Sequence, residues 1–290
     1  MVVIDKEKCT GCGSCVKVCH EHCMSLAEKK VVIEYASCST CAQCIALCPD
    51  QALSWDGAPP LAYDLSALPS ARQMDELFKE RRTVREFTRE PIARETLEEI
   101  VSYGVYAPTH NFSFRCIIVD SAAIIELFDN ASFRFSLAMY RFLFSRPMQA
   151  LVRLAPAPFR EELIRAKPKL AMAKAWGRAF RSTPAALMCI VGDRRVPLSL
   201  ESAQYTLCTM SFYAQAKGIG CRNLVGNQMA FNRSKAVRRR LNLGKQERIF
   251  AVMGLGHPAV TFRNKVQGRM MKMQWNEGTQ PDAGLPGKAD

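Results

Sequence analysis

The sequence predicts a chain of two domains, each combining helices with strands. Three observations carry the prediction. Cys9, Cys12, Cys15 and Cys19 form a C-x2-C-x2-C-x3-C run that recurs at the same spacing as Cys38, Cys41, Cys44 and Cys48. The stretch APPLAYDLSALPSA at 58–71 is rich in Pro and Ala and follows neither apolar period, as a linker does. Beyond it, helical spacing alternates with continuous apolar runs, and 290 residues exceed what one average domain needs.

The repeat defines a first domain over 1–57. VVID at 2–5 and VVIE at 31–34 lead its two halves, so each half reads as strand, cysteine loop and short helix. Thiolates spaced by two on a tight turn can face one soft metal centre. A triple run with a trailing Cys and Pro is the signature of [4Fe–4S] ligation in which the fourth thiolate serves the other cluster. A zinc or disulfide framework is the competing reading, but zinc sites favour paired C-x2-C. Nearly all of 1–57 resembles a two-cluster bacterial ferredoxin. The resemblance implies one cluster on Cys9, Cys12, Cys15 and Cys48, and another on Cys38, Cys41, Cys44 and Cys19. His20 follows Cys19 where that family has Pro, whereas Cys48 keeps Pro49. Cys23 is left over and reads as a small apolar residue.

Charge separates the two parts of the chain. The formal net charge is +13, yet residues 1–60 hold five Lys and no Arg against seven Asp and Glu, so the remainder carries +15. An oxidised cluster with four thiolates adds about −2, which makes the loaded first domain distinctly acidic. Opposite signs favour docking between the two parts. A basic chain also raises nucleic-acid binding, but no nucleic-acid motif accompanies the charge, so no such partner is expected. The N-terminus lacks a charged-then-apolar leader. No apolar run approaches the roughly eighteen residues needed to span a bilayer. Oxygen-sensitive clusters and unpaired thiols fit a reducing cytoplasm, and Cys116, Cys189, Cys208 and Cys221 lie in apolar runs that read as buried.

Residues 58–73 are read as linker and 74–290 as the second domain. QMDELFKERRTVREFT opens it with a helix whose Met74, Leu77 and Phe78 share a face. Arg81 and Arg85 fall one turn apart if that helix continues, which would let both reach one anionic ligand. PIARETLEEIVSYGVYAPTHN at 91–111 reads as a second helix, FRCIIVD at 114–120 and STPAALMCIVGD at 182–193 as strands. LSLESAQYTLCTMSFYAQAKGIGC at 198–221 reads as a long helix leaving through G-x-G, and RIFAVMGLGHPAVTFRNK at 248–265 as a last strand with a trailing basic pair. GIGCRN does not complete G-x-G-x-x-G and follows a helix, so it is no dinucleotide fingerprint.

In their order, RRTVREF, A-P-T-x-N, the G-x-G exit and G-x-G-x-P resemble the nitroreductase family of FMN enzymes. The resemblance implies an α+β fold, a mixed sheet surrounded by helices, and a homodimer whose two FMN sites are lined by both chains. It puts Arg81, Arg82 and Thr83 near the ribityl phosphate, with Arg263 and Lys265 closing that end. Guanidiniums suit a phosphate because they bind its oxygens bidentately. Arg85 and Asn111 would meet the pyrimidine edge, where positive charge stabilises reduced flavin. Pro108, Thr109 and Ser113 would border the same edge, and Val225–Gly226 would lie beside the ring. Asn111-Phe-Ser-Phe-Arg115 departs from the family's Asn-x-Gln-Pro-Trp. FMN would carry the chemistry, so no catalytic side chain is assigned. His110 and His257 read as polar neighbours of the pocket.

Together the two resemblances imply a reductase. Electrons would pass from an external donor, reduced ferredoxin, through two [4Fe–4S] clusters to FMN and on to a small organic acceptor such as a nitroaromatic or an activated alkene. A non-catalytic electron carrier or redox sensor is the alternative, as are dehalogenation or flavin-linked dehydrogenation on the same scaffold. Residues 131–182 match the family least. They hold eleven Lys and Arg against Glu161 and Glu162, broken by Pro147, Pro156 and Pro158. This basic insertion could be a lid for an anionic substrate, a dock for the acidic domain, a peripheral membrane contact, or extra packed helices.

Overall fold

The structure is a computed structural model, and it describes residues 1–110, 112–268 and 271–274. The first domain runs β1 (Val2–Ile4), α1 (Ser14–Val18), β2 (Met24–Ala27), β3 (Lys30–Ile33), α2 (Gln43–Leu47) and β4 (Leu53–Trp55). Each half thus carries a trailing strand that the sequence reading did not anticipate. β1 pairs antiparallel with β4, Val2 opposite Trp55, and β2 with β3, Met24 opposite Ile33. The apolar leaders therefore bury Val2, Val31 and Ile33 in one small core with Leu53, Cys9 and Cys44. A core this small is marginal by itself, and metal ligation adds to folding stability in such domains.

The two cysteine loops repeat in backbone as well as in sequence. α1 starts after Gly13 at φ 75 and α2 after Ala42 at φ 60. After each helix the turn closes identically: His22 N donates to Cys19 O at 3.2 Å, and Gln51 N to Cys48 O at 3.3 Å. His20 in place of proline therefore leaves this turn unchanged.

The second domain runs α3 (Ala71–Glu80), α4 (Arg94–Ser102), β5 (Phe114–Val119), α5 (Ala122–Leu143), α6 (Arg146–Val152), α7 (Ala157–Trp176), β6 (Ala186–Asp193), α8 (Ser199–Ala216), β7 (Gly220–Asn223), α9 (Gln228–Arg233), α10 (Lys235–Arg240) and β8 (Glu247–Gly256). The strands form one sheet in the order β5-β6-β8-β7, with every pairing antiparallel. The parallel strand that a mixed sheet requires is not among the described residues.

β6 shows why the sheet is central. Ala186, Met188 and Ile190 pack with Leu97 and Ile100 of α4 and with Leu207 and Met210 of α8. Leu187, Cys189 and Val191 face the other way, against Ile125 and Phe128 of α5 and Phe231 of α9. Alternation on a strand buried on both sides reads as a continuous apolar run, which is what 186–191 is. The register shifts opposite Ile190 and Val191, where Phe250 is the extra residue of a bulge. Side-chain amides serve the loosened backbone: Gln204 Nε2 donates to Phe250 O and Asn232 Nδ2 to Ile249 O.

Two expectations fail locally. α3 is capped by a Ser70–Gln73 capping box but ends at Glu80, and Arg81 has φ −55 and ψ 119. Beyond it Val84 N donates to Cys221 O, so β7 takes the hydrogen bond that a helix would have used. Arg81 and Arg85 are therefore not one helical turn apart. At ~3.3 Å per extended residue, the four steps between them span up to roughly 13 Å. In the insertion, Pro147 and Pro158 occupy the first turns of α6 and α7 and Pro156 caps α7, so these prolines start helices.

The insertion returns to the sheet through one buried carboxylate. Asp129 of α5 is 5% exposed. Its Oδ1 accepts from Ala179 N at 2.9 Å and Phe180 N at 2.6 Å, and Oδ2 lies 3.4 Å from Arg178 Nε. Phe180 is buried beneath this clamp, whereas Trp176 is 42% exposed. Asp129→Ala leaves two buried amides and is expected to cost about 3 kcal/mol, while Asp129→Asn, which keeps one oxygen, should cost about half as much. Urea unfolding followed by circular dichroism measures both; a loss in Asp129→Ala below about 1 kcal/mol would show that the clamp is dispensable.

Candidate functional site

Two cavities in the first domain sort the eight repeat cysteines. One is lined by Cys9, Cys12, Cys15 and Cys48, the other by Cys19, Cys38, Cys41 and Cys44. Each set takes three thiols from one loop and its fourth from the other half, as the ferredoxin resemblance implied. Among the described residues no three His, Cys, Asp or Glu side chains converge closely enough for a single metal ion. Burial pushes the Cys44 thiol up to about 11, a penalty on the thiolate that ligation by a metal would offset. Cys23 lines the second cavity with its Sγ 3.4 Å from that of Cys19, a position the sequence reading did not assign.

The loop geometry follows from glycine. Gly11 has φ +74, and a Cβ there would meet Lys29 O at 2.1 Å. Lys30 Nζ donates to Cys9 O, and Asp50 Oδ2 accepts from Thr10 Oγ1 at 2.7 Å, so both ends of the first loop are tied.

In the second domain a cavity of about 350 Å³ opens where α3 meets the ends of the sheet. Arg81, Arg82 and Thr83 form one wall, Gly218 and Gly220 the floor, and Thr261 and Phe262 the far side. A neighbouring cavity shares Glu80 and Phe262 and adds Arg263 and Lys265. Lys265 pairs with Glu76 of α3, which ties the C-terminal segment across the cleft. Five of the residues chosen from the sequence thus line two neighbouring cavities, three in the first and two in the second.

The others stand apart from it. Arg85 is exposed, as are Pro108 and Ser113, and Thr109 is partly buried. Val225 is 57% exposed, and a Cβ at Gly226 would meet nothing within 4 Å. Asn111 lies outside the described residues. His110 N donates to Ser202 Oγ at 3.3 Å, and His257 O accepts from Thr88 N at 2.9 Å, so these histidines take part through backbone atoms. Cys189 is buried and Cys116 and Cys221 partly so, but Cys208 is exposed, against expectation.

Sequence reasoning missed two groups. Gln215 lines the cleft; its Nε2 donates to Leu77 O at 3.0 Å, and its Oε1 is buried without a partner. An orphaned acceptor in a basic hollow suits a ligand that brings anionic oxygens and hydroxyl donors together, as a ribityl phosphate does. Arg222 of β7 holds its guanidinium 5.6 Å over the Phe180 ring. Burial first, and then the neighbouring Arg85, hold its pKa below the usual guanidinium range. An arginine inside a strand gives no periodic signal of its own.

The chain matches the nitroreductase family over residues 78–257 and a 4Fe-4S dicluster domain over residues 1–57. No curated protein gives a significant match. Similar solved structures include a nitroreductase with bound FMN from Desulfitobacterium hafniense DCB-2, 16% identical over 69% of this chain and 97% of that one, with a TM-score of 0.48. An FMN-dependent nitroreductase from Clostridium difficile R20291 is 14% identical over 70% of this chain and 99% of that one, with a TM-score of 0.49. A nitroreductase with bound FMN from Bacteroides fragilis NCTC 9343 is 15% identical over 70% and 99%, with a TM-score of 0.47. The chain belongs to the nitroreductase family. It is an FMN-dependent oxidoreductase with a 4Fe-4S dicluster domain, and its cofactors are FMN and two [4Fe–4S] clusters.

Gly11→Ala should distort the first cysteine loop and leave the second intact. Iron content is expected to fall from roughly eight atoms per chain towards four. Iron assay with electron paramagnetic resonance of the reduced protein checks this; full iron content would show that the loop tolerates a side chain at Gly11.

Proposed function

We propose that this nitroreductase-family chain is a reductase fed through its own iron–sulfur domain, with a small organic acceptor such as a nitroaromatic or an activated alkene as substrate. The observation that carries the reading is the conjunction of two cavities, each walled by four of the repeat cysteines, with a basic cleft beside the sheet. Clusters exchange single electrons, and bound FMN can collect two and deliver them as a hydride. A one-electron donor, reduced ferredoxin, suits such an entry better than a nicotinamide.

The chain's own residues would do the holding. Cys9, Cys12, Cys15 and Cys48 would ligate one cluster, and Cys19, Cys38, Cys41 and Cys44 the other. Arg81, Arg82 and Thr83 would take the FMN phosphate, with Arg263 and Lys265 across the cleft. Arg85, some 13 Å further along at ~3.3 Å per residue, would reach the pyrimidine end, with Asn111, Pro108, Thr109 and Ser113 bordering it. Val225 and Gly226 would lie beside the ring. The exposure of Val225, with that of Tyr106, Leu200 and Tyr205, supports a homodimer in which a second chain covers this face. No helix among the described residues is long and apolar enough to cross a membrane. Oxygen-sensitive clusters favour the cytoplasm.

Anaerobic purification with iron and flavin counts, then dithionite-driven turnover on nitroarenes and enoates, tests the reading. Material that holds iron but no flavin would sink it, as would full-rate reduction of the FMN by NADPH after the clusters are removed. Arg81→Gln removes a charged phosphate contact and should weaken FMN binding by about 10- to 100-fold, measured by recovery of free-flavin fluorescence. The iron content of that variant should stay unchanged.

A further inference from the structure

One hollow takes no part in the reading above. It lies where α7 ends, lined by Met172, Trp176, Arg178 and Arg181, and its volume is about 510 Å³. That suits a small aromatic molecule. α7 stops at Gly177, whose φ of 67 turns the chain sharply, so Trp176 and the two arginines come from opposite sides of one bend. Trp176 is 42% exposed and Met172 is 48% exposed, which leaves an apolar wall beside the cations.

Both cations are held from behind. Arg178 lies 3.4 Å from Asp129 and donates to Thr183 Oγ1 at 2.7 Å. Arg181 lies 2.8 Å from Glu86. A guanidinium has five N–H donors, so these bonds orient each fork without exhausting it. Arg222 is acted on by Arg85, Asp129 and Glu86 together. In the hollow itself the two guanidiniums meet two carboxylates, so what they offer an anion is their oriented, unused N–H donors.

We propose that this hollow binds an anionic planar acceptor, its ring against Trp176 and its carboxylate on Arg178 and Arg181. The proposal deepens the reductase reading and rests on it for one point, nearness to the flavin. The segment that carries Arg85 is linked to the hollow through Glu86, next to Arg85 in sequence and the ion-pair partner of Arg181. Ser182 Oγ also accepts from Phe87 N at 2.9 Å, so the wall of the hollow is tied to the segment that carries the cofactor arginines.

4-Nitrobenzoate and 4-nitrobenzamide share a ring and a nitro group and differ in charge. Binding of each to the oxidised protein loaded with clusters and FMN is read from quenching of tryptophan emission, with Trp176→Phe as the blank. Reduction under dithionite is read separately. The expected result is a dissociation constant about ten-fold lower for the nitrobenzoate, a preference that shrinks to within about two-fold in the Arg178→Gln/Arg181→Gln double variant. Glu86→Gln, which removes a competing carboxylate, should widen the preference. Circular dichroism and cofactor content establish that each variant is folded. Equal affinities in the parent protein overturn the proposal, and so does a preference that survives the double variant or quenching that persists unchanged in Trp176→Phe. A binding preference with no reduction of any nitroarene or enoate in the panel would sink the reductase reading and leave this site standing.

Discussion

The second domain depends on the absence of two side chains. A Cβ on Gly220 would come within 2.7 Å of Val84, and one on Gly256 within 2.7 Å of Phe87. Because neither exists, residues 84–88 lie against the ends of β7 and β8. Val84 N reaches Cys221 O at 3.0 Å, Thr88 N reaches His257 O at 2.9 Å and Ala259 N reaches Glu86 O at 2.9 Å. These bonds end α3, extend the arginine segment and bring it opposite Thr261 and Phe262 across the cleft. A methyl group at either glycine would push the segment off the sheet, and the basic hollow would open. The G-x-G exits thus belong to packing first, and the cleft is a consequence of that packing.

The same segment would, on the proposed reading, let one stretch of chain serve the whole length of a flavin nucleotide. A helix would have compressed five residues into one turn and set Arg81 and Arg85 side by side, in mutual repulsion. Extended backbone separates them and lets each answer a different charge. Beneath it, Glu86 and Asp129 balance the nearest cations, Arg181 and Arg178. The basic character of the region is therefore distributed: arginines line the cleft, and arginines oriented by carboxylates lie towards the insertion.

Much of this was legible in the sequence, and the misses have physical causes. The cysteine run was legible because its spacing repeats, and the resemblance to a two-cluster ferredoxin supplied the exchange of Cys19 and Cys48 between halves; the two cavities group the cysteines in the same way. β6 was legible because burial on both faces writes an uninterrupted apolar run. The end of α3 was not. Met74, Leu77 and Phe78 continue a helical pattern towards Arg81, and what stops it is a hydrogen bond to Cys221, far along the chain. The prolines of the insertion were read as breaks because their position relative to a helix start depends on where the previous helix ends. Arg222 and Gln215 were missed for a related reason. A polar residue on a buried element has meaning only once its neighbours are known, and Phe180 and Leu77 are distant in sequence.

The two halves of the first domain differ in a way that bears on how it is held together. Loop one meets its left-handed positions with Gly11 and Gly13, at φ 74 and 75. Loop two meets the equivalent positions with Thr40 and Ala42, at φ 58 and 60. A residue with a Cβ gives up about 1 kcal/mol or more in that region, whereas glycine gives up almost nothing. Such conformations persist only where their surroundings over-determine them. The apolar core offers little help, since Ser39, Thr40 and Cys41 are exposed or only partly covered. On the proposed ligation, iron–thiolate bonds to Cys38, Cys41 and Cys44 would be the strong constraint on both sides of the strained pair. The second loop therefore leans on its cluster more than the first does, and the domain's sequence symmetry conceals an asymmetry in what each cluster contributes to folding.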